Sequence, residues 1–358
     1  MAPQRTSHLR PGFWQRFLRF HLYLALTLTA LVIAVLIAGG VARHRLASRY
    51  PPAGRMVDVG GHRLHLVCSG TGGPTVVLES GMNEFSLSWS AVQPDIAKFT
   101  RVCSYDRAGL GWSEPGPSPP ASETIVRELH ALLSTAGIDG PLVLVGHSFG
   151  GMTIRLYARR YPDEVVGMVL VDSAHEAPLD PVRDAIFRKF HRKLLTILKV
   201  GSFLSRTGVF ALAPGLIPDR GLPPAVVPSY RAVLASTDYF TAALKESSAW
   251  EESAAEIRAE RIESLGDIPL VVMGRGLPQP LPGITDAEYR ELDKDWKTLQ
   301  ARMLRLSTRS RLIIATKSDH FIQLREPALV VDAVRDVWEQ ARRQQTKTSR
   351  HRDTENTE

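Results

Sequence analysis

The stretch Leu142-Val-Leu-Val-Gly146-His147-Ser148-Phe149-Gly150-Gly151 decides the reading of this 358-residue chain. An apolar strand pattern runs straight into Gly-x-Ser-x-Gly, and a helix pattern (Met152, Ile154, Leu156, Tyr157) follows at once. A strand-to-helix turn this sharp strains its central residue and forces neighbouring segments close, so small residues must flank the serine. The Ser148 hydroxyl is left exposed above a sheet. Phe149 opens the helix, so its N–H and the positive end of the helix dipole point where an oxyanion would form.

Outward from this turn, buried-type runs at 75–78, 102–105, 142–145, 165–171, 269–273 and 312–315 alternate with helix-like stretches. That alternation predicts a mostly parallel sheet with crossover helices. Residues 56–59 and 63–68 read as a hairpin around Gly60-Gly61,. Ile125, Leu129, Leu132 and Leu133 form one core-facing helical stripe; Leu329, Val330, Ala333, Val334, Val337 and Trp338 form another, with Pro327 suited to its first turn,.

Composition is that of a globular protein, 44% hydrophobic and 23% charged, which excludes disordered, collagenous and disulfide-scaffold readings,. The net charge of +7 is confined to the N-terminus: residues 1–55 hold eight Arg and no acid, leaving 36 basic against 37 acidic residues elsewhere. A nucleic-acid-binding body is therefore not expected. Two cysteines, Cys68 and Cys103, fit neither a zinc cluster nor a multi-disulfide domain,.

Residues 20–42 are 23 positions without Asp, Glu, Lys or Arg. As a helix they would span about 34 Å, against a hydrocarbon core of about 30 Å. Phe13, Trp14, Phe17, Phe20 and Tyr23 crowd one edge, as interfacial anchoring requires,. The expectation is an uncleaved anchor in the lipid bilayer, because the apolar stretch exceeds a signal peptide's usual core, although Gly40-Val41-Ala42 also fits a cleavage site,. Four Arg on each side leave the orientation open,.

The expected organisation is a basic arm 1–19, the membrane helix 20–42, a linker 43–55, a core in two parts (56–172 and 268–343) split by a helical cap 173–267, and a polar tail 344–358 without periodicity, read as disordered,. Within the cap, residues 185–218 carry six basic residues and no acid alongside many apolar ones. That pattern suits an amphipathic cap helix packed on the sheet, or one that also touches lipid headgroups.

With these motifs in place, residues 56–340 resemble the α/β-hydrolase fold family. Thr75-Val-Val-Leu-Glu-Ser80-Gly81-Met82 is similar to the family's third strand and oxyanion loop, with Ser-Gly where many members have His-Gly. The resemblance implies the Met82 and Phe149 amides as oxyanion donors. Arg101-Val-Cys-Ser-Tyr105-Asp106-Arg107-Ala-Gly109-Leu-Gly111-Trp-Ser113 matches the fourth strand and its turn, and Ser318-Asp319-His320-Phe321 the histidine loop after the last strand. It also implies the strand order 1-2-4-3-5-6-7-8, which makes the strands of Cys68 and Cys103 neighbours. Reduced, packed cysteines are the expectation there, since a cross-strand bridge needs favourable register.

Acyl transfer needs a base for the serine, and His320 has the right address. His147, the variable position of the serine motif, reads as packing, and His175, just past a strand end, as pocket lining. The acid is less clear. In the family it commonly follows strand seven, where this chain has Gly274-Arg275-Gly276 and no carboxylate. After strand six comes Asp172, which keeps the order Ser148, Asp172, His320; Asp286, Asp293, Asp295 and Glu176 are alternatives,. Glu79, ending a buried strand, is expected to pair with Arg107.

The resulting expectation is a membrane-anchored serine hydrolase acting on a small-molecule ester, possessing no metal or organic cofactor. A serine at the turn argues against the family's dehalogenases and epoxide hydrolases, which carry Asp there. Amide, peptide or peroxide-forming acyl chemistry and a non-catalytic binding or membrane-surface protein are the alternatives.

Overall fold

The computed structural model describes residues 12–355. The first eleven residues of the basic arm and the last three of the tail lie outside the described residues. Strands β1 (Arg55–Asp58), β2 (Arg63–Ser69), β3 (Thr75–Glu79), β4 (Val102–Tyr105), β5 (Leu142–His147), β6 (Val165–Val171), β7 (Leu270–Arg275) and β8 (Ser310–Ala315) form one sheet. Its order is β1-β2-β4-β3-β5-β6-β7-β8, the order the resemblance implied. β2 runs antiparallel to both β1 and β4, and every other pairing is parallel.

β3, β5 and β7 are buried at every residue, and β6 at all but one, because helices cover both faces of the sheet,. Ile125, Leu129, Ile154 and Leu156 pack on one face; Trp89, Ile96, Val330 and Val334 pack on the other. A parallel sheet collects the carboxyl ends of its strands along one edge. There His147 of β5 pairs with Val171 of β6, and the Asp172 N–H donates to Met273 O of β7 at 2.8 Å. Residues that immediately follow β5, β6, β7 and β8 therefore converge.

Between β6 and β7 the chain is mainly helical. The longest helix, Pro181–Thr207, begins where Asp180 accepts from the Val182 and Arg183 amides and ends at Gly208, whose φ of 80° permits the reversal,. Helices Val209–Leu212, Val227–Leu234, Thr237–Ser248 and Trp250–Glu260 complete this layer. Their apolar faces gather Leu198, Ala211, Ile217, Leu222, Tyr230 and Val233 over Phe85 and Leu110 of the sheet domain. Between β7 and β8 lies helix Asp286–Met303, opened by a capping box of Thr285 and Glu288,.

Three features depart from the sequence reading. The N-terminal helix covers Phe13–Arg49, so it absorbs half of the expected linker; Ala42 and Leu46 pack on the cap cluster and carry the helix past the apolar segment. The last helix, Pro327–Glu355, continues through residues 344–355 of the tail expected to be disordered. Arg, Gln and Lys lose little side-chain freedom in a helix, and extending an existing one requires no new nucleus. Finally, Cys68 and Cys103 form a disulfide, not the reduced pair expected. The β2–β4 register sets them directly opposite one another, with Cα atoms 4.1 Å apart,.

The bridge closes a 35-residue separation across the edge of the sheet. Thiol titration of the denatured, unreduced protein should find no free thiol. The Cys68→Ala/Cys103→Ala variant should unfold with a stability loss of about 2–4 kcal/mol, read from denaturant or thermal melts.

Candidate active site

Ser148 joins β5 to helix Phe149–Arg160 with φ 52° and ψ −120°, a conformation that costs a non-glycine residue energy,. It is held there by its N–H donating to Val171 O at 3.1 Å and its carbonyl accepting from Ala174 N at 2.9 Å. The glycine after Phe149 is needed for space. A Cβ on Gly150 would stand 2.5 Å from the carbonyl oxygens of Glu79 and Ser80.

Asp172 follows β6, also at positive φ (41°), and is fully buried. His320 reaches over from the loop after β8. Its Nδ1 donates to Asp172 Oδ2 at 2.6 Å, leaving Nε2 to accept from Ser148 Oγ at 2.8 Å. The structure thus brings Ser148, His320 and Asp172 together. The alternative carboxylates are engaged elsewhere: Glu176 with Arg155, Asp293 with Arg275 and Lys297, Asp295 with Arg183, while Asp286 lies in the first turn of its own helix. His175 sits beside Glu176, where burial and Arg155 push its pKa down to about 4.

The surroundings of Asp172 were not legible beforehand. Oδ1 accepts from Trp296 Nε1 at 2.8 Å and from the Arg275 amide at 3.2 Å; Oδ2 accepts from Arg275 Nη1 at 2.7 Å as well as from His320. Burial disfavours the carboxylate, but the hydrogen bond and charge of His320, then the charge of Arg275, hold its pKa well below the usual range. The guanidinium of Arg275 occupies the very strand end where a carboxylate was sought. It also stacks over the Trp296 ring, which meets the His320 ring edge-on. His320 itself is shifted below its ordinary value: burial is the main cause, and the neighbouring cations His147 and Arg275 add to it, against the pull of Asp172.

His147 does more than pack. Its Nδ1 faces Glu84 Oε2 at 3.0 Å and its Nε2 faces the His320 carbonyl at 2.9 Å. Both neighbours accept, so both ring nitrogens must donate and the ring is an imidazolium. Burial opposes that charge, but Glu84 outweighs it and raises the pKa of His147. For Glu84, burial is likewise overcome by His147, and its pKa is held at about 2. The only advance signal was a histidine in the variable position of the serine motif.

Met82 lies in the loop after β3, and Phe149 is the first residue of the helix after Ser148. A buried ion-pair network fixes that loop. Arg107 Nη1 reaches Glu79 Oε1 at 2.5 Å and Ser80 O at 2.7 Å, Nη2 reaches Gly81 O at 2.6 Å, and Nε reaches Glu246 Oε1 of the cap at 2.6 Å. Glu246 also accepts from the Asn83 amide at 2.5 Å. Loop and cap enclose a narrow pocket lined by Glu84, Phe85, Arg220, Tyr230, Phe321 and Leu324.

Comparison with known proteins agrees with this architecture. Residues 74–197 match the family model described as alpha/beta hydrolase fold. An AB hydrolase superfamily protein of Gibberella zeae is 27% identical over 290 residues, covering 74% of this chain and 86% of that protein. The probable transporter efuK of Hormonema carpetanum is 27% identical over 304 residues; the match covers 80% of this chain but only 42% of that relative's length. Among solved structures, a thermophilic esterase from Thermogutta terrifontis superposes with a TM-score of 0.55 at 21% identity, covering 80% of this chain and 98% of its own. Epoxide hydrolases and an enol-lactonase share the fold too. The sheet order and the site at its carboxyl edge define an α/β-hydrolase architecture. The chain thus has the α/β-hydrolase fold, and over residues 74–197 it is similar to that family.

Arg275 lowers the proton affinity of His320 by its charge. Arg275→Met should therefore raise the pKa of His320. The acid limb of the pH–rate profile for fluorophosphonate reaction with Ser148 should move to higher pH, because His320 would become protonated, and lose its basicity, earlier as pH falls.

Proposed function

We propose that this protein is a membrane-anchored serine hydrolase that cleaves carboxylic esters through an acyl-enzyme. The observation that carries the reading is the continuous hydrogen-bond chain from Ser148 Oγ through the His320 ring to Asp172, with the serine held in a strained turn. His320 Nε2 takes the hydroxyl proton as Oγ attacks the ester carbonyl. The Met82 and Phe149 amides stabilise the oxyanion, and the positive end of the helix at Phe149 adds to the field there. Collapse of the tetrahedral intermediate expels the alcohol, which takes the proton from His320, and forms the acyl-enzyme. Water, deprotonated in turn by His320, releases the acid.

Asp172 keeps His320 in the tautomer that leaves Nε2 free to accept, and it stabilises the imidazolium formed during each half-reaction. The environment suits a permanently ionised orienting group: a buried carboxylate with four donors gains nothing by protonation,. The Glu84–His147 pair supports the rear of the same loop by fixing the His320 carbonyl.

Anchoring is supported by helix Phe13–Arg49, which is long and apolar enough to cross a membrane and largely unburied by the rest of the protein. The Cys68–Cys103 disulfide supports a body on the oxidising side, since such bonds persist outside the cytosol,.

A p-nitrophenyl ester series from acetyl to palmitoyl tests the chemistry on detergent-solubilised protein. Turnover should disappear in Ser148→Ala and fall roughly ten-thousand-fold in kcat in Asp172→Asn, which retains the fold. Turnover of amide analogues but no ester would reassign the substrate class. For orientation, protease added to sealed right-side-out membranes should digest the body; protection of the body would place it in the cytosol.

A further inference from the structure

We propose that the outer face of the cap, formed by the second half of helix Pro181–Thr207 and the following segment 209–216, is a docking surface for the lipid headgroup layer. The proposal rests on the reading that helix Phe13–Arg49 crosses a membrane. What it adds is that the hydrolase body lies down on that membrane and is not held off it on a tether.

The contact between anchor and cap is intimate. Gly39, the one buried residue of the N-terminal helix, meets the cap backbone to backbone: a Cβ on it would stand 2.6 Å from Thr207 O and 2.7 Å from Gly208 Cα. One turn further on, Arg43 Nη1 donates to Ser205 O at 3.0 Å and Arg206 O at 3.3 Å. Those are carbonyls at the negative end of the cap helix, where a cation is favoured. Ala42 and Leu46 then join the cap's apolar cluster, and Trp112 Nε1 of the sheet domain donates to Tyr50 O at 3.1 Å. Anchor, cap and sheet domain therefore hold one fixed relation.

That relation sets a depth. Gly39 lies three residues, about 4.5 Å, inside the end of the uncharged segment 20–42,. The cap residues touching it are thus level with the boundary between hydrocarbon and headgroups. Beside that contact the cap exposes Val200, Phe203 and Leu216 at 52%, 68% and 62%, together with Ile197 and Leu212. Ile197, Val200 and Phe203 recur every third residue and so share one helical face, away from buried Leu198, Gly201 and Ser205,. Arg192, Lys199 and Arg206, spaced seven apart, form a row along the edge of that face, and none has a carboxylate partner among the described residues.

An exposed apolar stripe bordered by unpaired cations is the pattern of a helix seated in a membrane interface. Aliphatic and aromatic groups enter the acyl boundary while the cations meet lipid phosphates. The surface continues directly from a helix that leaves the bilayer at the same level, so the lipid that covers one is positioned to cover the other.

The test uses the full chain in nanodiscs of phosphatidylcholine and phosphatidylglycerol. The sequence holds no cysteine besides the disulfide pair, so Val200→Cys, Phe203→Cys and Leu216→Cys can each carry a single nitroxide. Leu31→Cys in the span and Asp163→Cys on the far side of the body serve as references. Collision with oxygen and with a water-soluble nickel chelate is read by power saturation. The labels at 200, 203 and 216 should give oxygen-to-nickel ratios several-fold above that at 163 and below that at 31. Ratios equal to that at 163, with position 31 still lipid-exposed, would overturn the docking surface while leaving the anchor intact. Shielding of the three labels from both reagents would mean a protein partner and would also overturn it. A label at 31 accessible to nickel would overturn the anchor reading and the docking surface together.

Discussion

Asp172 is a carboxylate sealed from water, and a charge in that position has to be satisfied by the protein alone,. Four donors from three separate segments do so: the backbone and guanidinium of Arg275, the indole of Trp296 and the imidazole of His320. Each of those segments is tied to the carboxyl edge of the sheet by that requirement. Beyond the pairing of β7 with β8, the carboxylate joins the end of β7, the helix Asp286–Met303 and the loop after β8 at one point. Because Arg275 and His320 share one carboxylate oxygen, the guanidinium competes electrostatically with the imidazolium. Burial first, with the charges of His147 and Arg275, shifts the pKa of His320 below its ordinary value against the pull of Asp172.

A second buried charge, Arg107, plays the corresponding part on the other side of Ser148. Its guanidinium links Glu79 at the end of β3, the carbonyls of the following loop, and Glu246 from the cap. The loop that carries Met82 is consequently fixed from below by the sheet and from the side by the cap. Breaking either carboxylate contact would leave an uncompensated charge inside the protein, so loop and cap are held as one unit. The Glu84–His147 pair completes the frame, since its doubly donating ring fixes the backbone of His320.

The N-terminal helix extends the same logic beyond the sheet and its site. Close approach of two helices needs small residues at the contact, and Gly39 against Gly208 provides them,. Arg43 then donates to the Ser205 and Arg206 carbonyls in the last turn of the cap helix,. The C-terminal part of the N-terminal helix is thereby part of the cap's packing.

The turn at Ser148, the alternation of apolar strands with helical stripes, the apolar N-terminal segment and the address of His320 could all be read from the chain, because each follows from constraints between neighbours. Sterics of a sharp turn and periodic burial leave their mark in contiguous residues. Much else had no local mark. Arg275 at a position where a carboxylate was sought looked like a missing acid, and became intelligible only when folding set it against Asp172, 103 residues away. Trp296, 124 residues from its partner, offered no hint at all. Strand adjacency made Cys68 and Cys103 possible partners, yet only the register of β2 on β4 put them face to face. The extension of the first helix to Arg49 likewise depended on a cap surface for Ala42 and Leu46 to pack against. The sequence alone therefore determined the elements and the outline of the site. Tertiary structure decided which distant groups neutralise its buried charges, because that choice belongs to chain segments that meet only in the folded molecule.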